Sequence, residues 1–554
     1  MKNVFLIALF SSWIVFSFGQ NPDWLWANSA GGSDYDFANS VCTDRDGNVY
    51  ITGNFNSPSV TFGNYTLNNA TGYPYDDIFF AKYDANGNVL WAKSVGGYRS
   101  DKGYSCATDA YGYVYLMGYF DYLDTLVLGN DTLFNYSMFL AKYDSSGNEI
   151  WARETDAGYP ARAYGICLDS LGYIYLTGIF NDSASFSGHV IYGSTEDIFL
   201  VKYDMNGNVI WVRSAGGTNN QEEGIACATD NKGNIYITGI FTNFNMYIGT
   251  DTLTNFNPTP CVDTFYCPDI FIARYDTAGN FHWAKSAGGN DFDYPQTMVT
   301  DANGNIFIAG SFISSSITFG AYLLNNVFQG QDYTYVAKYD SLGNVLWADA
   351  PVNSPYYNGC RSMAVDSGGN IFLAGYFGGY SITFGSITLS RTYWNGSDLY
   401  VVKYNATGAA VWAARAGSPY TNTDAYGIAI TPNSDIYVTG SFHDTIPVQF
   451  GNINVSGFGR SDIFLAKVGT VLGIEENITY TDLNIFPNPT NGNVHILCST
   501  NIDEIKITDV LGQVIKQVRV NENYSLLYVN EPGIYFISVT SANRVTTKKL
   551  IVTK

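Results

Sequence analysis

Apolar and polar residues alternate along short runs of this chain, and glycine-containing turns break the runs at close intervals. The stretch ANSVCTD passes through RDGN into VYITGNF, and DIFFAKYD passes through ANGN into VLWAKSV. Period-two alternation sends successive side chains to opposite faces of a strand, so each stretch predicts a hairpin. Asp84 and its equivalents can accept hydrogen bonds from backbone two residues on, and the following Gly-Asn tolerates the positive φ of a tight hairpin. No stretch shows the spacing of an amphipathic helix.

The pair of hairpins recurs. YDANGNVLWAKSVGG returns as YDSSGNEIWARETDAG, YDMNGNVIWVRSAGG, YDTAGNFHWAKSAGG and YDSLGNVLWADAPVN. Trp26, Trp91, Trp151, Trp211, Trp283, Trp347 and Trp412 stand 60 to 72 residues apart. Gly53, Gly118, Gly178, Gly239, Gly310, Gly375 and Gly440 keep step, each followed two residues later by Phe. Between the hairpins a variable piece, VTFGNYTL or ITFGSITL, predicts a small extra hairpin at the edge of the unit. Seven copies of four strands each predict a seven-bladed β-propeller, because no such sheet can bury its own faces.

The chain ends complement one another. DWLWANSAGG matches only the last strand of a unit, and SDIFLAKVG only the strand before it. Pairing Trp24–Ser29 with Asp462–Val468 would complete the seventh sheet and leave no open edge. DGNVYITGNF and DIFFAKYDANGNVLWAKSVGG resemble the seven-bladed propeller repeat family abbreviated SBBP, over about residues 24–468. That resemblance implies a fold and assigns no substrate.

From 482 the pattern changes to LNIFPNPTNGNVHI, EIKITDVLGQVIKQV and EPGIYFISVTSANRVTTKKLIVTK, which predict a small Ig-like β-sandwich. Pro487, Asn488, Pro489 and Gly492, then Asp509 and Gly512, then Gly533, Ile534 and Tyr535, and finally Lys548 and Lys549 resemble the C-terminal sorting domain of type IX secretion substrates in the Bacteroidetes. The resemblance implies an export address read by the type IX machinery and then usually removed. The expected division is a signal peptide at 1–19, the propeller at 20–469, a linker at 470–481 and the sorting domain at 482–554.

The N-terminus fits this route. Lys2, an apolar run of 13 from Val4 to Phe16, and Ser17-Phe18-Gly19 form a secretory signal, too short to cross a bilayer as a span. No other apolar run compares, so no membrane span is expected. The expected location is outside the cell or on the outer-membrane surface, after Sec export to the periplasm and type IX translocation. Net charge is −21, yet residues 471–554 hold 8 acids against 7 bases, so the propeller carries the excess. Such a field repels nucleic acid and favours a soluble chain, here expected as a monomer.

Export also bears on the eight cysteines. Cys261 and Cys267, in PCVDTFYCPD, are expected to staple a loop inserted in the longest unit. Cys42, Cys106, Cys167 and Cys227 fall in successive innermost strands at alternating offsets, which point to opposite sheet faces. Two readings stand: bridges Cys42–Cys106 and Cys167–Cys227, or buried thiols used as small apolar residues. Cys360 and Cys498 have no evident partner.

Catalytic motifs are lacking. Four histidines show no zinc spacing, and there is no nucleophile elbow or phosphate loop. DRDGN superficially resembles a calcium loop, but its counterparts DAYGY, DSLGY and DSGGN lack alternating carboxylates, so no cofactor is expected and the motif does not support Ca2+. The loops entering each innermost strand are richer. Asp36, Asp101, Glu222 and Asp293 share one aligned position, and Tyr35, Tyr98, Tyr159, Tyr294, Tyr356, Tyr357 and Tyr420 lie in the same loops. At a channel mouth they could stack on and hydrogen-bond a sugar or bind a cation; alternatively the acids cap backbone N–H groups and the tyrosines cover sheet edges. The expected function is a non-enzymatic module binding a glycan or protein. The alternatives are a polysaccharide-active enzyme in the channel and a purely structural surface protein.

Overall fold

The computed structural model describes residues 22–469 and 483–553, apart from 72–73, 122–124, 135–136, 156–160, 218–220, 258–265, 329, 354–355, 444–445, 499–500, 511 and 542–543. The expected signal peptide and linker lie outside the described residues. Those described form strands and turns, with no helix. The chain divides into two compact units at Val471.

Among the described residues the first unit holds seven antiparallel blade sheets, six of four strands and the sixth in order extended to six strands by the hairpin of the next unit. Sheet one runs from inside out as Asp36–Thr43, Val49–Phe55, Asp77–Tyr83 and Val89–Val95. In sheet seven the order is Thr423–Ile430, Ile436–His443, Ser461–Val468 and finally Trp24–Ala30. Chain start and array end therefore share one sheet, in the register Ala27↔Ala466 and Ala30↔Ile463.

Turn chemistry sets the repeat. Asp84 Oδ1 accepts the backbone N–H groups of Asn86 and Asn88, at 2.9 and 2.8 Å, and its Oδ2 accepts the Asn88 amide. Gly87 then takes φ +84°, a conformation that costs any other residue strain. Apolar side chains fill each seam between sheets. Leu200 and Trp211 of sheet three, for example, pack with Ile237, Phe241 and Phe271 of sheet four.

The small extra hairpins do more than extend an edge. Gly31 bridges to Thr61, Gly216 to Tyr247 and Gly288 to Thr318, so each hairpin reaches back over the preceding sheet. In unit seven the hairpin strand Val448–Phe450 pairs directly with Ala416 and Gly417 of sheet six. In unit three it merges into the long strands Ile174–Phe186 and His189–Tyr203.

The second unit is a sandwich. Three strands, Asn484–Phe486, Asn493–Leu497 and Tyr524–Tyr528, form one sheet. Glu504–Asp509, Val514–Arg519, Gly533–Ser541 and Arg544–Val552 form the other. Val494, Ile496, Ile507, Ile537 and Leu550 fill the space between. Pro487, Asn488 and Pro489 are exposed, but the Asn488 side chain donates to Lys549 O at 2.7 Å and accepts from Ile551 N at 2.9 Å. The motif's two ends are thus tied together. A Cβ at Gly492 would stand 2.6 Å from the Tyr528 ring; Gly512 takes φ +82° in the turn after Asp509; Gly533 opens the strand in which Tyr535 is buried. Lys548 pairs with Ile537.

Candidate functional site

Every innermost strand carries a β-bulge at the same point, and the extra residue is aimed at the lumen. The register shifts fall between Ala38 and Ser40, Gly103 and Ser105, Ala163 and Gly165, Gly224 and Ala226, Pro295 and Thr297, Cys360 and Ser362, and Ala425 and Gly427. The seven bulge residues, Asn39, Tyr104, Tyr164, Ile225, Gln296, Arg361 and Tyr426, line a central cavity of about 280 Å³. A scaffold repeated seven times presents five kinds of side chain here, three of the seven being tyrosine.

Two arginines organise the upper mouth, the end at which the innermost strands begin. The Arg361 guanidinium lies 5.2 Å from the Tyr376 ring and 5.9 Å from Tyr426, in the field of Asp332 and Asp424. Across the lumen, Arg162 lies 5.6 Å from Tyr119, which packs on Tyr104 at 5.3 Å. Burial raises the Glu223 carboxyl there, aided by Glu196 and opposed by Arg162.

On the same face a pocket of about 420 Å³ opens between sheets six, seven and one, lined by Tyr35, Asn395, Tyr420, Asn422, His443 and Arg460. Tyr35 stacks on Phe37 with centroids 6.2 Å apart, and Arg460 lies 5.5 Å over the Tyr35 ring. Tyr420, 58% exposed and held at φ +67°, meets Tyr393 at 4.4 Å. Trp394, 54% exposed, stands 6.2 Å from Tyr356. The loop presenting Tyr393 and Trp394 is anchored from below. Buried Arg391 donates to the carbonyls of Gly379, Asn395 and Gly396 and sets its Nε 2.9 Å from Asp398. Other units use Asn69, Asn255 or Asn326 at this place to hold one or two carbonyls.

The tyrosines expected in these loops divide. Tyr35 and Tyr420 line the pocket, and Tyr356 and half-exposed Tyr357 stand beside the innermost strand of sheet six. Tyr294 stacks with Phe292 near the lumen; burial, with Glu223, Asp332 and Asp293 around it, pushes its phenol up to about 12. Tyr98 is exposed on another loop, and Tyr159 lies outside the described residues.

The acids are corrected by the structure. Asp36, Asp101, Glu222 and Asp293 are wholly buried at the start of their strands rather than presented at the mouth. The reason is the glycine pair before each strand, whose N–H groups need acceptors: Gly32 donates to Asp36 and Gly97 to Asp101, both at 2.7 Å, and Gly217 to Glu222 at 3.2 Å. Gly289 serves both Asp293 and Asp269. Three of these acids also meet a second carboxyl from the preceding sheet. Asp462 faces Asp36, Asp269 faces Asp293, and Asp197 hydrogen-bonds Glu222. Burial, the largest cause in each case, raises Asp36 to about 6, Asp269 to about 7 and Glu222 to about 8. These are buried seam groups that cap backbone N–H groups.

At the opposite end of the lumen Asp44, Asp109, Asp169, Asp230 and Asp366 border a cavity of about 510 Å³. Each is spent on its own turn; Asp44 accepts from Asp46 N, Asn48 N, the Asn48 amide and Tyr50 OH. Cys267 is buried and disulfide-bonded, while Cys261 lies outside the described residues.

Comparison with known proteins adds two family matches. Residues 484–553 match the secretion system C-terminal sorting domain, and residues 26–58 match the beta-propeller repeat. An uncharacterized WD repeat-containing protein of Acanthamoeba polyphaga mimivirus is 25% identical over 438 residues, 69% of this chain. The chain spans only 28% of that relative's length. The regulatory protein FlaEY of Caulobacter vibrioides is 27% identical over 124 residues, 22% of this chain and 12% of that protein. Among solved structures, a puromycin hydrolase mutant complexed with PGG is 11% identical, covering 84% of this chain and 59% of its own, with a TM-score of 0.40. Sqt1 from Chaetomium thermophilum is 8% identical, covering 76% and 97%, with a TM-score of 0.34. Likeness at those scores has no weight here.

Proposed function

For a chain that carries a beta-propeller repeat, ends in a secretion-system sorting domain and is exported by the type IX route to the cell surface or beyond, we propose a non-enzymatic carbohydrate-binding role on the upper propeller face. The observation that supports it is the pocket between sheets six, seven and one. Tyr35 and Tyr420 line it, Tyr420 meets Tyr393 in solvent, and Trp394 stands exposed against Tyr356; Tyr393 and Trp394 sit on a loop fixed by a buried arginine. Rigid exposed rings are platforms for the C–H faces of a sugar, and Asn395, Asn422, His443 and Arg460 offer polar groups to its hydroxyls. Immobile aromatics also lose little entropy when a ligand lands.

The test is a carbohydrate library presented to the full exported chain, followed by titration of the best binder. Trp394→Ala with Tyr420→Ala should weaken binding at least ~10-fold, as loss of a central aromatic anchor does. Tyr192→Ala, which removes a ring 78% exposed on sheet three, should leave it unchanged. Equal binding by all three proteins would refute the assignment.

A second reading has its own observation. Glu223 and Asp424, at the upper mouth, both hold carboxyls raised by burial beside an arginine, which suits a general acid. Under that reading the exported chain cleaves a polysaccharide, and Glu223→Gln abolishes turnover.

A further inference from the structure

The seams between sheets repeat one contact seven times. The third residue after the bulge on one innermost strand faces the second residue after the bulge on the next. At four seams an apolar pair shares a core there: Ala228 with Met298, Val299 with Met363, Ala364 with Ile428, and Ala429 with Val41. Ala107 and Ile166 hold the same positions at the seam of sheets two and three. At the two remaining seams both positions are cysteine: Cys42 with Cys106, and Cys167 with Cys227.

The two cysteine seams are built alike. Cys106 Sγ lies 3.7 Å from the carbonyl oxygen of Tyr50, the cross-strand partner of Cys42. Cys227 Sγ lies 3.6 Å from that of Tyr175, the cross-strand partner of Cys167. In each pair burial, then the neighbouring thiol, raises the thiol of Cys42 or Cys167, with no basic group among the causes to favour a thiolate. Were cysteine serving only as a small apolar residue, single cysteines opposite alanine or methionine would be expected among these fourteen positions. Instead the four fall as two complete pairs.

We propose that Cys42–Cys106 and Cys167–Cys227 are disulfide sites, closed during export to staple sheet one to sheet two and sheet three to sheet four. Each closure breaks two S–H bonds and forms one S–S bond. Two electrons and two protons pass to the disulfide of a thiol–disulfide exchange protein in the compartment the chain crosses, leaving that protein as a dithiol. Oxidation precedes full docking of the sheets, since the finished seam buries Cys42, Cys106 and Cys227 and half-buries Cys167. The structure holds the reduced form of both sites.

The experiment takes the full chain from the medium or cell surface, unfolds it without reductant in the presence of an alkylating agent, and maps the peptides. Four of its cysteines should be linked as Cys42–Cys106 and Cys167–Cys227, leaving Cys360 alkylated, and Cys498 with it in any molecule that keeps the sorting unit. Cys42→Ala should then release Cys106 alone to the reagent and leave the Cys167–Cys227 link intact. A separate melting curve should fall when the wild-type chain is reduced, and fall less for the Cys42→Ala, Cys167→Ala double variant. Alkylation of Cys42, Cys106, Cys167 and Cys227 in the exported chain, or linkage in any other pairing, overturns the proposal.

Discussion

Trp211 donates its indole N–H to the carbonyl oxygen of Thr277, 3.1 Å away on the next sheet. The same bond runs from Trp26 to Ala85, Trp91 to Ser145, Trp151 to Met205, Trp283 to Ser341 and Trp347 to Ala406. A tryptophan closing one unit thus covers the turn of the following unit, which is why strand, turn and tryptophan repeat together. Replacing Trp211 by Ala should destabilise the propeller by about 3–5 kcal/mol, since the ring is buried and its pocket cannot collapse. Gly279 lies beneath that ring at φ +75°, where a Cβ would stand 2.9 Å from the indole. Gly279→Ala should therefore cost clearly more than Gly47→Ala, where φ is +83° but nothing lies within 4 Å. Denaturant titration of the three variants checks both statements; equal losses for the two glycines would show that the seam does not press on the turn.

Stability should fall as pH rises. Asp36, Asp269 and Glu222 are raised by burial to about 6, 7 and 8. A carboxyl raised in the folded chain keeps its proton where the unfolded chain has lost it, so the unfolding free energy declines with pH between the two values. The contribution is whole below the unfolded value near about 4 and is lost once pH passes the folded value. Turn aspartates such as Asp84, lowered because Asn88 donors outweigh slight burial, act in the opposite sense but are screened by solvent. Melting curves between about pH 5 and about pH 8.5 should show a declining midpoint, flattened by Glu222→Gln and by Asp269→Asn. A midpoint that climbs over this window contradicts the buried-pair account.

Removing residues 483–554 should stop export at the periplasm. The sorting match covers this unit, and Asn488 ties the Pro-Asn-Pro segment to the strand holding Lys549, so the signature is presented as one folded piece. Fractionation of cells producing the truncated chain checks it. Truncated protein recovered outside intact cells would show that the address lies elsewhere.

The repeat was readable because strand pairing is written in local alternation and local turns, and both survive seven times over. Ring closure was readable from the same source, since each chain end lacks the strand the other supplies. The bulge ring was not, because a bulge exists only in the register between two strands, and Asn39 or Arg361 reads in sequence as one more strand residue. Which of the two readings of the acids holds was hidden for a related reason. Aligned Asp and Glu beside a mouth look like ligand contacts until the unsatisfied N–H groups of Gly32, Gly97 and Gly217 are seen beneath them. One signal for the upper pocket was present in the residues: Arg391 stands where other units have asparagine, and it carries the loop of Trp394.

Lumen, seams and upper face all depend on a ring completed by the first strand, so its amide protons give the most direct measurement. Hydrogen exchange on the full chain should find Trp24–Ala30 protected to the same degree as Ser461–Val468, with which it pairs. Rapid exchange across Trp24–Ala30 while Ser461–Val468 stays protected would mean an open seventh sheet, and the account would fail.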